Sequence, residues 1–127
     1  MNRKTIFTKN APSAIGFYSQ AIVSNGLVYT AGQIPLDPNT GEVISDDFTM
    51  QVEQTIKNVN SVLKEAGTDI LRSIKLTVFI TDLGKYPELN AVFKDTFQDV
   101  EPPARSVVEV SALPKGVMVE IDCIATL

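Results

Sequence analysis

A chain of 127 residues with 44% hydrophobic and 20% charged residues has room for one domain, residues 1–127, with a real core and no second unit. Its 11 Lys and Arg against 15 Asp and Glu give a formal charge of −4, a balance that repels phosphate backbones and disfavours nucleic acid as a partner. With no histidine and a single cysteine, Cys123, the sequence excludes Ser-His-Asp and Cys-His nucleophile systems, a zinc site and an internal disulfide.

The N-terminus, Met1 to Lys9, lacks the apolar run and small-residue cleavage site of a secretory leader, and no segment is apolar enough to span a bilayer. A soluble, cytoplasmic protein without membrane contact is the expectation. Short β-favouring runs follow at Lys4–Thr8, Gln20–Ser24 and Leu27–Ala31, and Asn25-Gly26 between the last two is a strong hairpin signal. The turn formers Pro35-Leu36-Asp37-Pro38-Asn39-Thr40-Gly41 then predict a loop between Ile34 and Ser45.

From about Asp47 the period changes. Val52, Ile56, Val59, Leu63 and Ala66 recur every three or four residues, which predicts an amphipathic helix capped by Ser45, Asp46 or Asp47 and ended by Gly67. Ser73–Thr81 alternates again, with Ile74, Leu76, Val78 and Ile80 on one face, as a central strand would. After Asp82-Leu83-Gly84, Pro87 opens a second helix whose stripe is Leu89, Val92, Phe93 and Phe97, and Glu101-Pro102-Pro103 stops it. Arg105–Ala112 and Val117–Leu127 read as the last two strands, joined by Leu113-Pro114-Lys115-Gly116.

The order βββαβαββ predicts an α+β fold, a six-stranded mixed sheet with both helices packed on one face. Apolar side chains on both faces of several strands suggest that the other face is covered by further subunits. If the last two strands form a hairpin, Ala112 pairs with Val117, Glu109 faces Glu120, and Arg105 and Glu120 share a surface. A slip of one residue would part them. Like charges opposed at Glu109 and Glu120 would also strain the ladder unless that surface were hydrated. From position alone, a surface arginine and a solvated edge glutamate are the simpler readings of Arg105 and Glu120. Tyr18 and Asn90 have equally plain ones, and Cys123, in phase with Val117, Val119 and Ile121, reads as inert core.

Several segments taken together carry more. Tyr18-Ser19-Gln20-Ala21, Ala31-Gly32-Gln33-Ile34-Pro35, Asn58-Val59, Thr77-Val78-Phe79-Ile80, Asn90, Pro103-Ala104-Arg105-Ser106 and Val119-Glu120-Ile121 resemble the Rid family, the reactive intermediate deaminases also called YjgF, in order and spacing over the whole chain. The resemblance implies a chorismate-mutase-like fold, a homotrimer with three intersubunit clefts, and cofactor-free, metal-free hydrolysis of 2-enamino and 2-imino acids such as 2-aminoacrylate and 2-iminobutyrate. In that reading Arg105 holds the substrate carboxylate with help from the backbone amide near Val107, and Glu120 orients water. Tyr18, from a neighbouring subunit, and Asn90 line the cleft, and Gly32 lets substrate approach the backbone.

Two positions depart from the family's pattern: Val107, commonly Cys, and Phe17, commonly Pro. The first removes thiol regulation there; the second bears on loop rigidity and pocket size, hence on substrate preference. A non-catalytic trimer that senses small carboxylates is the alternative, and an endoribonuclease or translation inhibitor ranks third.

Overall fold

The computed structural model describes residues 2–127; Met1, part of the N-terminal segment and of the one-domain reading above, lies outside the described residues. Six strands and two helices follow in the expected order: β1 (Lys4–Ile6), β2 (Ala21–Ser24), β3 (Leu27–Thr30), α1 (Phe48–Ala66), β4 (Ser73–Ile80), α2 (Tyr86–Thr96), β5 (Ala104–Glu109) and β6 (Val119–Thr126). They form one mixed sheet ordered β1-β2-β3-β6-β4-β5, so the α+β class holds. Among the described residues no helix is long and apolar enough to cross a membrane.

Local chemistry explains the boundaries. Asn25 and Gly26 both take positive φ, 51° and 78°, the requirement of a two-residue turn whose twist matches the strands it joins. Asp47 caps α1 by accepting from the Met50 amide at 3.0 Å, and Gly67 ends it at φ 98°. The apolar stripe of α1, with Val52, Val59, Val62 and Leu63 fully buried, packs on the face of the sheet that carries Val28, Leu76, Val78, Ile80, Val119 and Ile121. Ile74, expected on that face, is exposed instead. The register of β4 against β6 shifts between Ser73 and Lys75, and this irregularity turns Ile74 away from the core.

Three polar side chains of α1 are buried with a purpose. Asn58 donates from Nδ2 to the carbonyls of Ile34 and Leu36, both at 3.0 Å, while its Oδ1 accepts from Gln54. Gln51 donates to the Ser45 carbonyl and accepts from the Met118 amide. Thr55, also buried, donates to the Gln51 carbonyl of its own helix. The first two thereby clamp the loop that follows Gly32 against α1. Asn58→Ala would strand the Leu36 carbonyl and leave that of Ile34 with only the Leu36 amide, and a loss of about 1–3 kcal/mol is expected from the urea midpoint, against less than about 1 kcal/mol for Gln54→Ala.

The final hairpin is not there. β5 and β6 both pair with β4, β5 in parallel and β6 antiparallel, so β4 lies between them. The segment Ser111–Met118 is thus a crossover over the end of β4, with Lys115 and Gly116 at positive φ in its 3₁₀ turn. β5 also ends at Glu109, short of the Ala112 expected. Glu109 does not oppose Glu120; its Oε1 accepts from the Leu83 amide at 2.8 Å and holds the turn before α2. The expected strain between the two glutamates disappears with it.

Candidate active site

The pairing decides where the two key side chains go. Arg105 lies opposite Leu76 on β4, and Glu120 lies opposite Phe79. These β4 positions differ by an odd number of residues, so Arg105 stands on the helix-covered face and Glu120 on the open face, about 10 Å further along the strand direction. A single chain does not bring them together on one surface. It builds two half-sites.

The first half-site lies between the β5 edge and α2. Tyr86, Asn90 and Phe93 fall on one helical face at steps of four and three, and Arg105 lies along them. Its Nη2 donates to the Tyr86 hydroxyl at 2.8 Å and to Asn90 Oδ1 at 2.7 Å, and its guanidinium carbon sits 4.9 Å from the Phe93 ring centroid and 5.4 Å from that of Tyr86. Both hydrogen-bond partners are neutral, so the positive charge stays available to an anion. Beside it opens a cleft of about 680 Å³ lined by Phe93, Phe97, Pro102, Pro103 and Arg105.

Backbone donors reinforce this edge. The Val110 amide donates to the Ile80 carbonyl at 2.8 Å. In a parallel ladder alternate residues bond to the same neighbour, so the amides of Ser106 and Val108 turn toward β4 and those of Arg105, Val107 and Glu109 turn outward. With β5 at the edge of the sheet, the Val107 amide is thus directed to the free side, next to Arg105.

The second half-site is on the open face. Gln33 exchanges backbone hydrogen bonds with Ile121 at 2.8 and 3.0 Å, which fastens residues 32–34 beside β6. A Cβ on Gly32 would stand 2.6 Å from Glu120 Oε2 and 2.8 Å from its carboxyl carbon. The missing side chain at position 32 therefore makes room for the Glu120 carboxylate, a different role from the substrate approach expected of it. Burial pushes the Glu120 carboxyl above its ordinary range, and the charge of Asp122 adds to the shift. Asp122 is itself raised by burial, with hydrogen bonds from Thr77 and the charge of Lys75 opposing. Tyr18 sits near Gly32 with its hydroxyl accepting from the Ile15 amide at 3.2 Å, and Phe17 beside it is wholly exposed.

The structure thus joins Arg105, Asn90 and the Val107 amide in one group and Glu120, Gly32 and Tyr18 in another. Tyr86 and Phe93 were missed as partners of Arg105, although the spacing 86, 90, 93 on one helix was a usable signal. Cys123 belongs to neither group. It is buried, contacts Ser73 Oγ at 3.2 Å, and burial pushes its thiol up to about 11. At pH 8 its labelling by a thiol reagent should be at least about a hundredfold slower in the native protein than in urea, since the thiolate is the reactive form.

The chain matches the family model described as endoribonuclease L-PSP over residues 8–127. The crystal structure of a protein of unknown function of the conserved Rid family, YyfA of Yersinia pestis, superposes with a TM-score of 0.95 at 49% identity, covering 98% of this chain and 99% of that one. The chain belongs to the Rid (YjgF) family. Two further relatives bracket this Rid protein: the YjgF gene product of Escherichia coli, at a TM-score of 0.92 and 42% identity over 97% and 98% of the two chains, and the 2-iminobutanoate/2-iminopropanoate deaminase of Rattus norvegicus, 40% identical over 97% of this chain and 89% of the rat protein. The names differ in chemistry, an endoribonuclease for the family model and a deaminase for the rat protein.

Proposed function

We propose that this Rid protein hydrolyses 2-enamino and 2-imino acids, such as 2-aminoacrylate and 2-iminobutyrate, to 2-oxo acids and ammonia, in clefts formed where two copies meet. The observation that carries the reading is the division of the site, on opposite faces of one sheet: among the described residues the Arg105 half has no carboxylate paired with the guanidinium, and the Glu120 half has no cation acting on the Glu120 carboxyl. A homotrimer in which each open face, with Phe79, Val108, Tyr29 and Ile124, turns inward would set the Arg105 half of one copy against the Glu120 half of the next. Heterologous contacts that close into a ring repeat such a cleft at every interface. Tyr18 would enter from the same side as Glu120.

The chemistry needs little beyond this. Arg105 and the outward Val107 amide hold the substrate carboxylate. Water attacks the electrophilic carbon of the protonated imine while Glu120 takes one of its protons, the carboxyl returns that proton to the carbinolamine nitrogen, and as the C–N bond breaks Glu120 takes the remaining hydroxyl proton, leaving ammonia and the 2-oxo acid. An enamine enters this path once it has tautomerised to the imine. A carboxyl raised by burial is a stronger base than an ordinary carboxylate and suits both halves of that exchange. The rat relative is named for the same reaction, which supports the reading, as do the charge of −4 and the lack of histidine against RNA cleavage. A sensor of small carboxylates would use the same clamp but turn nothing over. Ammonia release from freshly generated 2-iminobutyrate separates the two, and a wild-type rate equal to that of buffer sinks the enzyme.

The pH profile gives a further check. Activity requires ionised Glu120, so kcat/KM should fall as pH drops through a limb set above the ordinary carboxylate range. Asp122→Asn removes the negative neighbour that raises Glu120, and the limb should move to lower pH.

A further inference from the structure

The guanidinium of Arg105 is already partly committed. Nη2 carries two hydrogens, and Tyr86 and Asn90 take both. A fork-to-fork pair with a carboxylate uses Nη2 in either of its usual arrangements, so the paired fork is not free while this geometry holds. What remains is Nη1, with two hydrogens, and Nε, with one. Nε–H points to the Nη2 side of the guanidinium, so a carboxylate at Nη1 does not reach it, and Nη1 with the Val107 amide supplies at most three of the about four hydrogen bonds a carboxylate accepts.

The group that closes the gap is also the group that occupies Nη2. A phenol hydroxyl is one donor and an acceptor with two lone pairs. Tyr86 spends a lone pair on Arg105, and among the described residues its own hydrogen reaches no acceptor. The O–H donor is thereby held one hydrogen-bond length from the guanidinium, on the first turn of α2, where α2 meets the β5 edge. Phe93, one turn and more further on, stacks against the guanidinium and keeps it from rotating away. Donation from Arg105 also polarises the phenol and strengthens its hydrogen as a donor.

We propose that Tyr86 is a ligand-binding residue, its hydroxyl donating to the carboxylate of the substrate alongside Arg105 Nη1 and the Val107 amide. This rests on the carboxylate-clamp reading given above. It adds a neutral donor to the cationic one, so the site recognises a carboxylate by count and direction of donors as well as by charge. A phenylalanine at position 86 would keep the ring against Arg105 and lose only the donor.

Binding of 2-oxobutyrate, measured by isothermal titration calorimetry on wild type, Tyr86→Phe and Tyr86→Leu, tests the assignment, with thermal melting as a control on folding. Tyr86→Phe should weaken binding about tenfold, the usual effect of removing a hydrogen bond to a charged group. Its KM for 2-iminobutyrate should rise by a similar factor, with kcat held within about twofold, because the carboxylate is bound equally in ground and transition states. A merely structural role predicts otherwise: unchanged affinity in Tyr86→Phe with loss only in Tyr86→Leu would overturn the proposal. Wild-type protein that neither binds 2-oxobutyrate nor releases ammonia from 2-iminobutyrate would instead overturn the clamp reading, and this assignment with it.

Discussion

Arg105→Ala should lower kcat/KM for 2-iminobutyrate by about 10²–10⁴-fold, the span expected when one partner of a hydrogen-bonded charge pair is truncated. The fold should survive. Arg105 lies on an edge strand, its partners Tyr86 and Asn90 remain open to water, and Phe93 and the core beneath keep their packing. The unfolding free energy should therefore change by less than about 1 kcal/mol. Arg105→Lys separates charge from geometry. A lysine keeps the charge but presents it as a point, without planar donors to lie along Tyr86 and Asn90, and about a tenth or less of wild-type kcat/KM should remain. Steady-state ammonia release with 2-iminobutyrate generated in the assay measures both, and full activity in the alanine variant would remove Arg105 from the site.

Gly32→Ala is the second large effect. The new methyl would lie 2.6 Å from Glu120 Oε2 and 3.0 Å from its Cγ, closer than atoms tolerate. Those atoms end a flexible side chain, so Glu120 swings aside and the stability cost stays near or below about 1 kcal/mol. Catalysis would not be spared. Displacing the base should cost about 10²–10⁴-fold in kcat, the range for loss of acid-base assistance, and Glu120→Gln should match it. The double variant separates two roles for the glycine. If Gly32 serves to seat Glu120, Gly32→Ala adds nothing to Glu120→Gln, since both remove the same carboxylate. If the glycine instead admits substrate to the backbone, the two losses multiply.

Most of the fold was legible because each element carried its own signal. Asn25-Gly26 demanded positive φ twice, the α1 stripe kept its helical period, and Gly67 marked where α1 stops, whereas α2 ends at Thr96, ahead of the expected stop at Glu101-Pro102-Pro103. The placement of β5 and β6 was not legible, because adjacency in sequence stood in for adjacency in space. Two runs joined by a Pro-Gly turn look like a hairpin whether they pair or not, and nothing local to Arg105 or Glu120 announces β4 between them. The hairpin reading put Glu120 on the same face as Arg105, whereas the observed pairing sets the two on opposite faces. Gly32 was read for its missing side chain, and the Glu120 carboxylate that faces it was not foreseen. Its contact with Glu120 depends on how residues 32–34 lie along β6, which a sequence does not display.

In the proposed trimer a working site takes Arg105 from one copy and Glu120 from another. Mixing the two inactive variants tests it directly. Arg105→Ala and Glu120→Gln subunits, coexpressed or refolded together at equal amounts, leave about one cleft in four with both native groups if subunits in the ring assort at random. Ammonia release from 2-iminobutyrate should then return to about a quarter of the wild-type rate, although each variant alone stays near the background. A mixture verified to contain hybrid oligomers, yet no more active than its parents, would contradict the shared site.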